Sequence, residues 1–498
     1  MNHISSFKLK FFFLFNLLLP ATFFIFALYF MPVEQVFQFD TSDEGIELMK
    51  ASLHLEGFAL YTQIWNDQPP LYTIILSSWF SLFGQSIFAS RLLTLSFSTI
   101  LIWSFCQTLR IYLGNLPAVL GTLLLVISCN FLRLSVSVMI GLPALALAML
   151  SIYILTLYKQ RLSKRLIIIS GSLLALSLQI KLFTAFIVPL ILFELVKLKF
   201  TKHYQQESKH HLFFDIILWL ASFTIVFILI GLLCHSLTYE QLLQSHLDRS
   251  VTTVFNKESS LKLALSFFVQ DFDYFLLAIP ATIIIFQKRQ WEKSFPLVWL
   301  LIVFILVLNH RPVWYHHYLL ISIPLTWLAT YGATLSADFF QQKNWYSNFK
   351  PSHLQKLTLS GFAAGALIFS ILVSPIKLGI IQLENHRYIE KTQDNIQLVK
   401  VMLDHKESTQ WVFTDCPIYA FYSNLLVPPE IAVLSHIRIE SKKITDEQIL
   451  SIFEIYHPEQ VLLCKSKTIQ GYLNNYLNEY YLKTYENHAG THYLLKKI

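Results

Sequence analysis

The chain has 498 residues, of which 54% are hydrophobic and only 14% charged, and its mean hydropathy is +0.51. A water-soluble domain needs more polar surface than this balance supplies, so the class is membrane protein. The formal charge of +7 does not point to nucleic acid, because Lys and Arg fall in short clusters between apolar runs, where they carry topology information.

Lys8 and Lys10 precede the apolar run Phe11 to Met31, which is long for a signal peptide and is not followed by a small-x-small cleavage site. An uncleaved first helix is expected. Further basic clusters are Lys159-Arg161-Lys164-Arg165, Lys197-Lys199-Lys202 with Lys209, Lys288-Arg289-Lys293, and Lys343-Lys350-Lys356. Positive residues are retained in the cytoplasm, so between clusters the chain crosses an even number of times. That parity gives spans at 9–31, 90–110, 116–133, 138–157, 166–179, 183–197, 213–234, 271–287, 295–309, 318–337 and 357–376, the first and last running outward. The fold class is therefore a polytopic α-helical membrane protein of about eleven transmembrane helices with a small C-terminal α/β domain. The tight step is 166–197, which crosses twice although ~20 residues per crossing is usual.

The transmembrane domain is expected over 1–376, with a first outer loop at 32–89 and, within it, an interfacial helix at 69–84 carrying Tyr72 and Trp79. The region 377–498 is expected to be extracytoplasmic, with strands at Trp411 to Thr414, Ile431 to Leu434 and Val461 to Cys464 and helices at 393–404, 444–456 and 468–478. Cys416 and Cys464 end two of those strands; separate buried thiols are the expectation and a disulfide the alternative. Cys106, Cys129 and Cys234 lie in or beside apolar runs, and no cysteine spacing fits a metal site.

On this topology the ionisable residues collect at the outer ends of the spans: Asp40, Asp43-Glu44, Glu47, Trp65-Asn66-Asp67-Gln68-Pro69-Pro70, Lys181, His246 with Asp248 and Arg249, His310-Arg311-Pro312 and His316-His317-Tyr318. Charge within the spans is nearly absent, Asp273 being the main exception. Asp43-Glu44-Gly45, Leu60-Tyr61, Asp67, Pro69-Pro70-Leu71, Phe83-Gly84 and Arg91-Leu92, in this order, resemble the first outer loop of GT-C membrane glycosyltransferases. The likeness is to the dolichyl-phosphate-mannose protein mannosyltransferases and the bacterial lipid A aminoarabinose transferases; His310-Arg311-Pro312 and His317-Tyr318 share in it. The resemblance implies a polyprenyl-phosphate sugar donor, inversion at the anomeric carbon and a catalytic acidic pair in the first loop. It also implies a second acid near the start of the fourth span, where Val138-Met139-Ile140-Gly141-Leu142-Pro143 has Gly141 instead.

Chemistry supports the same assignment. An acceptor hydroxyl attacking an anomeric carbon needs a carboxylate to take its proton, whereas a phosphate leaves as a stable anion and needs cations, not a general acid. Asp43 is the expected base, with Glu44 positioning it or binding acceptor hydroxyls. Arg311, Lys181 and Arg249 are the expected donor-phosphate ligands. His310, His317, Tyr318, Asp67 and Tyr61 are the expected substrate-binding residues, and His316 could donate a hydrogen bond. The spacing of His310, His316 and His317 matches no helical ligand pair, so no metal or cofactor is expected; a labile divalent cation on Asp43, Glu44 or a histidine is the alternative. The expected partners are a polyprenyl-phosphate-linked sugar, a lipid, glycan or protein acceptor, and membrane lipids, with no nucleic acid. The expected location is the plasma membrane. The rival readings are a transporter or flippase of lipid-linked sugars and an inactive binding protein on the same fold.

Overall fold

The computed structural model describes residues 14–35, 43–198, 212–237, 240–241, 257–341, 351–464 and 467–496. Its helices are α1 Leu19–Phe30, α2 Asp43–Leu55, α3 Leu71–Phe83, α4 Ile87–Leu113, α5 Asn115–Ile127, α6 Phe131–Val136, α7 Gly141–Arg161, α8 Lys164–Ile180, α9 Ile187–Leu198, α10 Leu212–Leu233, α11 Lys257–Gln270, α12 Phe272–Gln287, α13 Phe295–Asn309, α14 Tyr318–Gln341, α15 Pro351–Asp404, α16 Pro417–Tyr422, α17 His436–Glu440, α18 Asp446–Tyr456 and α19 Lys467–Tyr480. Every expected span meets a helix, with 116–133 divided between α5 and α6 and residues 9–13 of the first span outside the described residues, and the chain is a multi-pass membrane protein. Five helical stretches are long and apolar enough to cross a membrane: Ile87–Leu113, Gly141–Arg161, Leu212–Leu233, Tyr315–Ala337 and Thr358–Asp404. The pair Leu261–Gln270 and Phe272–Gln287, bent by 80°, makes a sixth if it is one span, and Leu14–Phe30, Leu71–Phe83, Asn115–Ile127 and Phe295–Asn309 are shorter apolar helices. The crowded 166–197 segment forms α8 and α9 with a 3-10 turn at Leu182–Phe186 between them.

Local sequence explains the ends. Ser86 caps α4 by accepting the Ala89 N–H at 3.1 Å, and Gly114 closes that helix at φ +89°. The segment expected at the interface is helix α3, but Tyr72 is buried and its hydroxyl meets Thr94 Oγ1 at 3.3 Å. Trp79 keeps a partly exposed ring and donates to the Ala89 carbonyl at 2.8 Å.

Beyond the helices lies the small α/β domain. Its sheet has the order β1-β2-β4-β3, with β1 Val412–Thr414 parallel to β2 Gln460–Leu463, and β4 Thr491–Leu495 antiparallel to both β2 and β3 Tyr481–Glu486. Phe413, Phe453, Val461, Leu473, Leu477 and Tyr481 fill its core. Three expectations are corrected here. Ile431 to Leu434 is not a strand, because Pro428-Pro429 starts a 3-10 turn at Pro429–Ile431 that lacks the ladder geometry. Cys416 and Cys464 are bonded to each other rather than separate thiols, since the parallel pairing of β1 with β2 brings their Cα atoms to 6.1 Å. Charge inside the helical body is also not confined to Asp273: Asp271, Asp273 and Lys377 form a buried cluster. Lys377 belongs to α15, which runs unbroken through the expected 376/377 division and carries the helix expected at 393–404.

The α/β domain docks on the first-loop helix. A side-chain carbon on Gly45 of α2 would lie 2.6 Å from the backbone nitrogen of Ile418 in α16, so only glycine permits this approach. Phe421 meets Phe80 at 5.6 Å between ring centres, and the Tyr422 hydroxyl donates to the Gln35 carbonyl at 2.8 Å.

Candidate active site

The expected loop around Asp43 is the start of helix α2, and helical geometry separates its acids. Positions 43, 47 and 50 share one face, while 44 is turned about 100° away. Glu44 therefore points into the protein. Its two oxygens accept Nε and Nη2 of Arg91, both at 3.0 Å, and the Val138 N–H approaches Oε1 at 3.3 Å. Arg91 also donates to the carbonyls of Val33 (3.0 Å) and Gln35 (3.1 Å), and both side chains of the pair are 0% exposed. This forked pair fixes where α2 begins.

Asp43 opens onto the other face. Its side chain is 42% exposed, with Oδ2 3.5 Å from Nδ1 of the half-buried His316, a buried nitrogen without a hydrogen bond among the described residues. An acid in the first helical turn is also favoured by the helix dipole. One turn on, Glu47 Oε1 takes Nζ of Lys50 at 2.9 Å, while Glu47 Oε2 is buried without a hydrogen-bond partner among the described residues. Lys50 also donates to Asn66 Oδ1 at 3.2 Å, which ties α2 to the 61–70 turn. That turn is pinned by Tyr61, whose hydroxyl donates to the Gln68 carbonyl at 2.8 Å, and by Gln241, which bridges the Asn66 N–H (2.8 Å) and the Tyr61 carbonyl (3.0 Å). Asp67 is buried in it and faces two cations, Lys181 and Arg438. Arg438 comes from the α/β domain; its guanidinium lies 4.3 Å from the Trp65 ring centre and donates to the carbonyls of Glu430 (2.6 Å) and Val433 (3.0 Å).

Lys181 lies just past the end of α8. Its backbone is held on both sides, the N–H donating to Ser177 O at 3.0 Å and the carbonyl accepting the Thr184 hydroxyl at 3.0 Å. Its ammonium has no hydrogen bond and no ion pair within 4.0 Å among the described residues. Burial presses it down to about 8, against the opposing pull of Asp43, Glu47 and Asp67. Phe183, in the following turn, stacks on His317 at 5.0 Å and meets the edge of His310 at 5.4 Å. His317 also accepts the Trp314 N–H at 3.0 Å. This aromatic packing brings the Lys181 turn and the 310–317 loop together. Arg311, half-buried on that loop, makes no hydrogen bond or ion pair among the described residues.

The structure thus gathers Asp43, Asp67 and Lys181, with Tyr61 in the turn that carries Asp67 and with His310, His317 and Arg311 on the adjoining loop. It does not bring Tyr318 to the group. Tyr318 begins α14, where helical geometry turns it inward, and its buried hydroxyl donates to Asp271. Glu44 is committed to Arg91. Arg249 lies outside the described residues. Sequence reasoning gave no role to Glu47, although its i, i+4 spacing from Asp43 signals a shared helix face, or to Arg438, for which no sequence signal exists.

The other end of the helices is basic. Glu194 pairs with Lys159 and with Lys197 (2.5 Å), and Lys159 donates to the Tyr112 hydroxyl at 3.2 Å.

A family model described as dolichyl-phosphate-mannose-protein mannosyltransferase matches residues 67–229. No curated protein matches the sequence. Among solved structures, the fold is similar to ArnT from Cupriavidus metallidurans bound to undecaprenyl phosphate, at 10% identity and a TM-score of 0.58, covering 96% of this chain and 97% of that one. It is also similar to the Archaeoglobus fulgidus oligosaccharyltransferase in the apo form, at 10% identity and a TM-score of 0.55, covering 91% of this chain and 70% of that one. A structure of the same archaeal enzyme in complex with Zn and sulfate matches at 11% identity and a TM-score of 0.51, over 89% of this chain and 67% of that one. The fold is similar to the GT-C fold of these ArnT and oligosaccharyltransferase structures.

Proposed function

We propose that this protein is a glycosyltransferase that moves a sugar from a polyprenyl-phosphate donor to an acceptor at the outer membrane face, with inversion. The observation that carries the reading is the charge pairing on the gathered site. Glu44 is paired with Arg91 and Glu47 with Lys50, and Asp67 is buried facing Arg438, whereas Asp43 is the most exposed of these carboxylates and lies beside His316. The fold likeness to an ArnT solved with undecaprenyl phosphate supports a donor of that class.

In this reading the acceptor hydroxyl gives its proton to Asp43 as its oxygen bonds to the anomeric carbon. The bond from that carbon to the phosphate oxygen breaks, and polyprenyl phosphate leaves as an anion, met by Arg311 and Lys181. Arg249 is proposed as a third phosphate ligand on its sequence position alone. His310, His317, Tyr61 and Asp67 shape the sugar and acceptor side, and Glu47 Oε2 offers a buried acceptor to a sugar hydroxyl. Glu44 acts through position, by anchoring the first turn of α2. The acceptor is a lipid, glycan or protein. The basic helix ends lie in the cytoplasm with the N-terminus, and the α/β domain lies outside, at the plasma membrane.

A divalent ion such as the zinc of the archaeal structure does not fit these residues. Glu44 is consumed by Arg91, one oxygen of Glu47 by Lys50, and a lysine ammonium stands among Asp43, Glu47 and Asp67. Among the described residues, the one place where three ligand-type groups converge is Asp415 with the bonded Cys416 and Cys464.

The test is transfer by the purified full chain in lipid nanodiscs, supplied with a radiolabelled polyprenyl-phosphate sugar and a membrane lipid or glycan acceptor. Labelled acceptor and free polyprenyl phosphate are the expected products. Passage of intact donor across a liposome membrane without either product would establish the transporter instead.

A further inference from the structure

We propose that the acceptor is a saccharide, held in the seam between the first-loop turn and the α/β domain by Trp65, Asp67, Glu430 and Arg438. The inference rests on the transfer reading above and names the chemical class of its second substrate. Arg438 is 6% exposed, yet its guanidinium is only half used. Nη1 donates to the Glu430 and Val433 carbonyls, while Nε is buried without a hydrogen-bond partner and Nη2 makes no hydrogen bond among the described residues. Asp67, across the seam, is 7% exposed, and its carboxylate makes no hydrogen bond or ion pair among the described residues. Glu430 completes the set: its Oε1 accepts the Tyr456 hydroxyl at 2.8 Å, and its Oε2 is buried without a partner among the described residues. Both acids are within electrostatic reach of the guanidinium, and neither pairs with it. Buried donors and acceptors left unmet cost stability, so their presence on both sides of one seam marks a place for a ligand.

The donors and acceptors say which ligand. The Nε and Nη2 edge of a guanidinium offers two parallel N–H groups to hydroxyl oxygens, and carboxylate oxygens accept hydroxyl protons, so together they match neighbouring hydroxyls on one ring. Trp65 adds an indole beside them, with the guanidinium carbon 4.3 Å from its ring centre, and aromatic surface suits the C–H face of a sugar. An anionic group is disfavoured, because Asp67 and Glu430 flank Arg438, and an apolar group would leave the polar atoms unmet. Asp67 is also the link to the reaction. It faces Lys181, a donor-phosphate ligand in the reading above, as well as Arg438, so a saccharide in the seam lies next to the donor. Arg438 belongs to α17, which makes the α/β domain part of the acceptor site.

The experiment uses the full chain in nanodiscs with a radiolabelled polyprenyl-phosphate sugar. The acceptor probes are octyl and methyl glycosides of glucose, galactose, mannose and N-acetylglucosamine, beside a peptide containing Ser and Thr. Label is expected on a glycoside; transfer to octyl glycosides alone places the saccharide on a lipid, and transfer to methyl glycosides as well makes it a free glycan. The accepting glycoside, added without donor, is expected to slow hydrogen exchange at 61–70 and 429–440. Glu430→Gln keeps an oxygen for Tyr456 and puts a donor in place of the bare acceptor. It is expected to raise the acceptor KM about tenfold, with the donor KM within about twofold and the thermal midpoint unchanged. Arg438→Lys, which keeps the charge and loses the fork, is expected to raise the acceptor KM about as much. Slowed exchange at neither segment with any glycoside overturns the proposal; so does transfer to the peptide alone, or an acceptor KM that Glu430→Gln leaves unchanged. If no probe yields free polyprenyl phosphate, the transferase reading fails, whereas slowed exchange by a glycoside tests the seam without the donor.

Discussion

Two of the ionic clusters among the described residues are built to opposite rules. In the body of the helices, Asp271 and Asp273 share Lys377, whose Nζ lies 2.8 Å and 2.6 Å from them. Their remaining oxygens take the Tyr318 and Ser370 hydroxyls, the Cys129 N–H reaches Asp271 at 3.4 Å, and the ammonium sits 3.8 Å from the Tyr274 ring centre. Asp271 stands at the 80° break between α11 and α12, and Lys377 comes from α15, so the cluster fastens a bent helix pair to the helix that leads into the α/β domain. At the site, by contrast, Asp43 is partly exposed, Glu47 keeps an oxygen without a hydrogen bond, and the Lys181 ammonium has no hydrogen bond or ion pair among the described residues. A saturated cluster holds elements together; one with charges left over is a place for a ligand. In low dielectric, leaving such groups unmet costs stability, which is why the difference points to function.

The comparison can be broken most forcefully at the saturated end. Lys377→Met leaves two buried carboxylates without a cation, and about 3–5 kcal/mol of stability is the expected loss, read as a fall in thermal midpoint in detergent. Glu44→Gln strips the forked partner from Arg91 and has a similar expected cost of about 3–4 kcal/mol, with loss of activity following loss of structure. Gly45→Ala, which drives a methyl group into Ile418, is expected to cost about 1–3 kcal/mol and to expose the α16 segment to limited proteolysis. At the open end the expected effects are on binding. Lys181 titrates near 8, below the usual lysine value, with Asp43, Glu47, Asp67 and His316 facing it. The phosphate ligand needs the protonated form, so polyprenyl-phosphate affinity is expected to hold below pH 8 and to fall as pH rises through that value. Lys181→Gln is expected to remove this step from the binding profile. For folding the sign is opposite: a depressed lysine holds fewer protons in the native state than when unfolded, so its contribution rises with pH between about 8 and 10.5.

Much of the scaffold was legible because it depends on run length and charge sorting. The expected spans meet helices, 116–133 being broken into two, and the strands at 411–414 and 461–464 formed close to where β-rich runs stood. What depends on direction was not legible. Asp43 and Glu44 are neighbours in sequence, yet a helix sends one to the open face and the other to Arg91, and a loop assignment for 32–89 hides that separation. The same turn of a helix took Tyr318 away from His317 and into the buried cluster. Lys377 stood just beyond the last expected span, at the start of the expected outer domain, because a single lysine cannot announce two carboxylates over a hundred positions upstream. The β3–β4 hairpin was missed because Tyr481–Glu486 follows directly on α19 with no turn residue between them. Arg438 reaches Trp65 only through the docking of a separate domain, and no local pattern encodes that.

The claim that the open cluster does the chemistry while the saturated one holds the fold is tested most directly by placing Asp43→Asn and Asp273→Asn in one assay. Polyprenyl phosphate released per folded molecule is measured beside the thermal midpoint. Asp43→Asn is expected to lose about two to four orders of magnitude in release with an unchanged midpoint, and Asp273→Asn to lower the midpoint while each folded molecule keeps its turnover. Undiminished release by Asp43→Asn, or loss of turnover in folded Asp273→Asn, would contradict the account.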